Sequence, residues 1–148
     1  MANWWNEENM KNTIAEKINP GENVEHCFQC FCFGKAFIGW AILIGPLINL
    51  FKGPDKYIFV ITNSAIYFVK YSGQARKKVD NILEILRFQF NELQARVKGG
   101  IQFNVVKFKA LNGFEAKMEF PRVKYMPSSD LSDWNQIAEK IKSRCSKI

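Results

Sequence analysis

From Lys56 to Tyr71 the chain reads KYIFVITNSAIYFVKY, two apolar runs joined by Thr62-Asn63-Ser64. Runs of this length, dense in β-branched and aromatic residues, predict strands, and the Asn-Ser pair predicts a two-residue hairpin turn with positive φ. Tyr57, Phe59 and Ile61 fall on one face and Ile58 and Val60 on the other. Both faces are therefore apolar, and the hairpin is expected in the middle of the protein with other elements on both sides of it.

Period-two alternation continues on either side of this hairpin. Asn23 to Phe33 predicts a preceding strand, with Cys27, Phe31 and Phe33 on one face and Phe28, Cys30 and Cys32 on the other. Val79 to Phe90 predicts a long, kinked strand. Glu92 to Lys98 alternates strictly, with Leu93, Ala95 and Val97 inward. Gly99-Gly100 predicts a turn into Ile101 to Ala110, where the apolar phase slips from Ile101, Phe103 and Val105 to Val106 and Phe108. A β-bulge near Val105-Val106 would account for the slip. Asn112-Gly113 marks a further hairpin into Phe114 to Phe120, with Phe114, Ala116, Met118 and Phe120 inward.

Helical spacing frames these strands. Residues 3 to 18 carry Met10, Ile14 and Ile18 at fourfold spacing and end at Asn19-Pro20-Gly21. After Pro127, one of Ser128, Ser129 and Asp130 can cap a last helix whose apolar stripe is Leu131, Trp134, Ile137, Ala138, Ile141 and Cys145. Asp130 and Asp133 lie early in it and Lys140, Lys142, Arg144 and Lys147 late, as the helix dipole favours. The expected fold is mainly β (α+β): a bent antiparallel sheet of seven strands, or a partly open barrel, closed by the C-terminal helix. The expected division is an N-terminal helix over residues 1–19 and one domain over 20–148, the size of one ordinary domain for a chain of 148 residues.

Ala36 to Phe51, AFIGWAILIGPLINLF, fits neither period. Leaving its large apolar side chains in water would forgo roughly 15 to 30 kcal/mol, against about 5 to 15 kcal/mol for the whole stability of a typical domain. Gly45-Pro46 interrupts the segment, which also falls short of the roughly 18 to 20 residues of a spanning helix. It reads as an apolar insert over 36–51, in short helical pieces. The insert is either packed on the sheet, laid into a membrane interface, or covered by another subunit.

The net charge of +7 favours an anionic partner, and residues 76 to 124 hold eleven of the bases against five acids. Alternating strands would place those bases on a solvated face. Cys27, Cys30 and Cys32 share one strand, which suits thiols better than disulfides, and the polar start MANWWNEENM does not resemble a signal peptide. The expected compartment is therefore the reducing cytosol, with peripheral contact to a membrane. No phosphate-cradling loop, nucleophile elbow or H-E-x-x-H occurs, and the single His26 points away from Cys27 if both lie on a strand. The chain is read as a non-enzyme without a cofactor. A zinc knuckle of His26, Cys27, Cys30 and Cys32 lacks a second ligand pair from elsewhere, Cys145 being the only other cysteine, so the cysteines are read as buried small hydrophobes and no metal is expected.

Pro20-Gly21-Glu22-Asn23-Val24, the hairpin YIFVITNSAIYF from Tyr57 to Phe68, Val79-Asp80-Asn81-Ile82 and the closing helix together resemble the bacterial PH-like (pleckstrin-homology-like) and GRAM-type domains over residues 19 to 145. The resemblance implies a binding module. It also implies that the first-to-second and third-to-fourth strand connections share one open end, which would gather Lys35, Lys52 and Lys56 with Arg76, Lys77 and Lys78. The cluster of bases that binds phosphoinositides in the eukaryotic relatives is not matched, since Lys35 stands alone at its place. The leading expectation is a module at a membrane surface. Phe37, Trp40, Ile44, Leu47 and Phe51 would make the apolar contact and the six bases would attract anionic lipid. The alternative is a protein interaction or homo-oligomer contact through residues 36–51. Nucleic-acid binding is a weaker alternative, because no RNP-like or helix-turn-helix pattern supports it.

Overall fold

The computed structural model describes residues 7–35, 55–72, 79, 81–99, 103–121 and 131–148. A helix α1 (Glu7–Ile14) runs into a 3-10 turn (Ala15–Lys17) within the expected 3 to 18, of which residues 3–6 lie outside the described residues. Then come β1 (Val24–Lys35), β2 (Asp55–Thr62), β3 (Ala65–Ser72), β4 (Asn81–Gln89), a 3-10 turn (Phe90–Glu92), β5 (Leu93–Lys98), β6 (Phe103–Ala110), β7 (Glu115–Pro121), α2 (Leu131–Arg144) and a two-residue β8 (Ser146–Lys147). The strands form one eight-stranded sheet in the order β4-β3-β2-β1-β7-β6-β5-β8, and the sheet is not closed. Seven of the eight correspond to the expected strands. β8 was not expected, and because it pairs in parallel with β5 it makes the sheet mixed.

The central hairpin is buried on both faces. Tyr57, Phe59, Ile61, Ile66 and Phe68 belong to an inner core closed by Trp134, Ile137, Ala138, Ile141 and Cys145 of α2. Ile58, Val60, Ala65, Tyr67, Val69 and Tyr71 belong to a second cluster, covered by Met10 and Ile14 of α1. β1 divides likewise, with Phe28, Cys30 and Cys32 facing the inner core and Cys27 the outer cluster. The strict alternation of Leu93, Ala95 and Val97, and of Phe114, Ala116, Met118 and Phe120, faces the same inner core.

Two local expectations are corrected. Among the described residues no side-chain-bearing residue has positive φ, so Asn63 and Ser64 do not form the expected mirror-image turn. Thr62 shapes the turn instead: its Oγ1 accepts from Ser64 N at 3.1 Å and Ala65 N at 3.0 Å. Asn63 is tied back to Asn23, donating its N–H to the carbonyl at 3.2 Å and accepting Asn23 N–H on Oδ1 at 2.9 Å. A side-chain hydroxyl thus does what left-handed backbone would have done. The second correction concerns β6, which pairs residue for residue with β5 and β7 and has no bulge at Val105-Val106. Its inward set is Asn104, Val106, Phe108 and Ala110, and the phase looked broken because a polar residue, Asn104, is buried at 3% exposure in an otherwise apolar row.

The second hairpin turn does use glycine. Gly113, at φ +94°, follows a turn closed by its N–H to the Ala110 carbonyl, and Phe114 N–H bonds Asn112 Oδ1 at 3.0 Å. The bulges lie elsewhere, between Val24 and His26, between Cys32 and Lys35, and between Lys70 and Tyr71. The last of these inserts Leu83 in β4, the strand expected to be long and kinked.

Two stability measurements test this architecture. Phe59→Ala removes a fully buried ring that touches Phe68, Phe108 and Phe120, and is expected to cost about 3 to 5 kcal/mol in urea unfolding. Thr62→Ala is expected to cost about 1 to 2 kcal/mol, with Thr62→Ser recovering most of it, since only the hydroxyl shapes the turn.

Candidate functional site

β1 to β4 are consecutive antiparallel neighbours, so the connections from β1 to β2 and from β3 to β4 leave from the same end of the sheet. Cys32 pairs with Asp55 there, and Ser72 with Asn81. Of the expected basic patch, Lys56 is half-buried, with Nζ 5.9 Å from the Tyr71 ring centroid. Lys35 closes β1 opposite Ala116. Lys52, Arg76, Lys77 and Lys78 lie outside the described residues, as do Phe37, Trp40, Ile44, Leu47 and Phe51 and the whole of 36–51. Lys70, which sequence reasoning did not single out, belongs to this end: it pairs opposite Tyr57, and its ammonium is 3.6 Å from Asp55. Beneath it the Tyr57 hydroxyl is buried without a hydrogen-bond partner among the described residues, and burial pushes its pKa above the ordinary tyrosine range.

Two carboxylates organise the opposite end. Glu22 Oε2 accepts from Tyr67 Oη at 2.7 Å, and Oε1 accepts from Arg87 Nε at 3.0 Å and from Arg87 Nη2. Burial alone would raise the Glu22 carboxyl, but the Tyr67 and Arg87 hydrogen bonds and the Arg87 charge outweigh it and hold it below the usual carboxylate range. Glu25, at the bulge in β1, takes the Arg144 guanidinium with both oxygens, Oε2 to Nη1 at 2.5 Å and Oε1 to Nη2 at 3.0 Å. It also receives Lys140 Nζ at 2.9 Å. The Arg144 hydrogen bonds are the main reason its carboxyl is held at about 2, with Lys140 adding to them against the effect of burial. Lys140 Nζ lies 3.0 Å from His26 Nε2, an arrangement in which the ammonium donates and that nitrogen carries no proton. Arg144 also donates to the Thr62 carbonyl at 3.1 Å and covers the Phe90 ring at 5.3 Å. The polar groups at this end converge on one another, fastening α2 to the start of β1 and to the hairpin turn.

The outer face of β5, β6 and β7 is basic. Arg96 stands directly opposite Lys107, and Lys107 directly opposite Lys117, all three exposed. A depression of about 490 Å³ lies among Arg96, Lys98, Lys107 and Lys117 over Val97 and Val105. A second, of about 540 Å³, shares Arg96 and Val97 and extends past Ala95 to Lys142, Cys145 and Lys147. Sequence reasoning placed the bases of this stretch on a solvated face but did not see which of them stand side by side. That depends on the register of three strands, which the sequence signals only through the lengths of the two turns.

The four cysteines are buried, Cys27 in the outer cluster and Cys30, Cys32 and Cys145 in the inner core. Burial raises the Cys145 thiol to about 11, the Arg144 charge opposing it, so it stays protonated at neutral pH. Among the described residues no group of three or more His, Cys, Asp and Glu could hold a metal ion, and no helix is long and apolar enough to cross a membrane.

No protein-family model and no curated protein sequence matches the chain. Among solved structures it is similar to the hSac2 domain from human phosphoinositide phosphatase Sac2, at 11% identity and a TM-score of 0.53, over 93% of this chain and 79% of that one. At this identity the likeness concerns the fold alone.

The Glu25 cluster gives a pH prediction. A carboxyl held at about 2 when folded, against an ordinary 4.5, contributes stability that is complete above about 4.5 and is lost as pH falls through about 2. Glu25→Gln is expected to lower stability at neutral pH by roughly 1 to 2 kcal/mol and to flatten the fall between pH 4.5 and 2, as read from urea midpoints across that range. An unchanged acid slope would mean that Glu25 does not fasten α2.

Proposed function

We propose that the chain is a non-enzymatic, PH-like binding module that works at a membrane surface. Residues 36–51 are its apolar contact, and Lys35, Lys52, Lys56, Arg76, Lys77 and Lys78 are the surrounding bases. The observation that carries this reading is the strand pairing. It sends the β1–β2 and β3–β4 connections out from one end of the sheet, where Lys56 and Lys70 already stand, while α2 occupies the other end. The order β4-β3-β2-β1-β7-β6-β5 with a closing helix supports the PH-like assignment, β8 being an addition to it. The hSac2 domain, similar in fold, comes from a phosphoinositide phosphatase. Bases beside an apolar segment would let electrostatic attraction bring the module to the bilayer and apolar burial retain it there.

Vesicle sedimentation tests the reading. The chain is expected to sediment with phosphatidylserine-containing vesicles, less so as salt rises, and weakly with phosphatidylcholine alone. At about 1 kcal/mol per base near a charged bilayer, the combined variant Arg76→Gln, Lys77→Gln, Lys78→Gln is expected to lose about 100-fold in partitioning. Equal binding to neutral and anionic vesicles, or none to either, would remove the membrane reading. A dimer or larger mass by light scattering, abolished by Trp40→Asp, would then assign residues 36–51 to a subunit contact.

A further inference from the structure

We infer that the outer face of β5, β6 and β7 is a docking track for an extended acidic segment of a partner protein, separate from the membrane-facing end. Like charges directly opposite one another on neighbouring strands destabilise a sheet. Here the residues opposite one another are Arg96, Lys107 and Lys117, three cations in one row. None of the three forms an ion pair among the described residues. In the neighbouring row, Lys109 and Glu115 face each other with 3.6 Å between their charged atoms. The face therefore accommodates acids beside the central row but presents only bases within it.

The shape of the charge argues for the occupant. The row on one side holds Lys109 and Glu115 and the row on the other holds Lys98 and Glu119, each without net charge, so the net positive charge of this face is concentrated in the central row. At about 4.8 Å between strands, the line covers roughly 10 Å from Lys117 to Arg96. It continues over the edge of β5 into the depression flanked by Lys142 and Lys147. A bilayer presents a plane of charge and would set phosphates against Glu115 and Glu119, whereas an extended polyanion presents a line. Between linear polyanions, the floor decides. Val105, outward on β6, lines the depression among the bases, which suits the methylenes of acidic side chains. Among the described residues no aromatic ring lines either depression, and these residues give a single-stranded nucleic acid no stacking platform.

Fluorescence anisotropy with a labelled oligoglutamate peptide and the full chain tests this. Saturable binding is expected, weakening as salt rises and falling tenfold or more in the combined variant Arg96→Gln, Lys107→Gln, Lys117→Gln. It is expected to be unchanged in Arg76→Gln, Lys77→Gln, Lys78→Gln. Because the three track residues are exposed and repel one another, their joint replacement is expected to raise the thermal midpoint, a readout independent of any ligand. Peptide affinity that ignores the track variant would overturn the inference. So would an oligouridylate, or phosphatidylserine vesicles, held more tightly than the peptide through the same three residues. Loss of vesicle binding in the Arg76–Lys78 variant alone concerns only the membrane reading.

Discussion

The sheet has two unjoined ends, β4 and β8, and what draws its halves together is ring packing rather than hydrogen bonds. Phe59 on β2 touches Phe68 on β3, Phe108 on β6 and Phe120 on β7, with centroids 5.9, 6.0 and 5.3 Å away. From Phe68 the chain of rings continues to Phe114 and Phe88, and from Phe120 to Trp134 on α2. Phe88 on β4 stacks on Phe114, the residue before β7, at 5.2 Å, bridging the side on which the sheet has no ladder. Each such pair adds about 0.5 to 1.5 kcal/mol beyond the area it buries. The curl of the sheet therefore depends on side chains that meet across its interior, and the high phenylalanine content is concentrated where that meeting occurs.

Polar groups then fix what the rings leave adjustable. Glu22 ties the entry to β1 to Tyr67 on β3 and Arg87 on β4, and Glu25 ties β1 to α2. Thr62 lies between the two clusters: its hydroxyl serves the turn and is 3.2 Å from Glu22 Oε2, while its carbonyl accepts from Arg144. One residue at the hairpin tip therefore registers the helix, the turn and the first strand against each other.

Period and composition made the long elements legible. The two-sided apolar hairpin, the strict alternation in β5 and β7, and the α2 stripe each carry their burial in the local pattern. What escaped was set by distant partners. β8 is two exposed residues that become a strand only because β5 offers an edge. The bulge that aims Glu25 at Arg144 depends on a helix more than a hundred positions later. Asn104 imitated a break in phase because a single buried amide and a slipped register look alike in one dimension. Arg96, Lys107 and Lys117 are visible in the sequence as charge, but their alignment requires three strands in register. The apolar insert and the bases at 76–78 were legible only as composition, and they lie outside the described residues.

The placement of α1 has a consequence for how the molecule can be approached. Met10 and Ile14 roof over the outer surface of β1, β2 and β3, and among the described residues no helix covers the outer surface of β5, β6 and β7. Among the described residues, then, a molecule meeting the outer surface of the sheet would touch helix over one half and strand over the other.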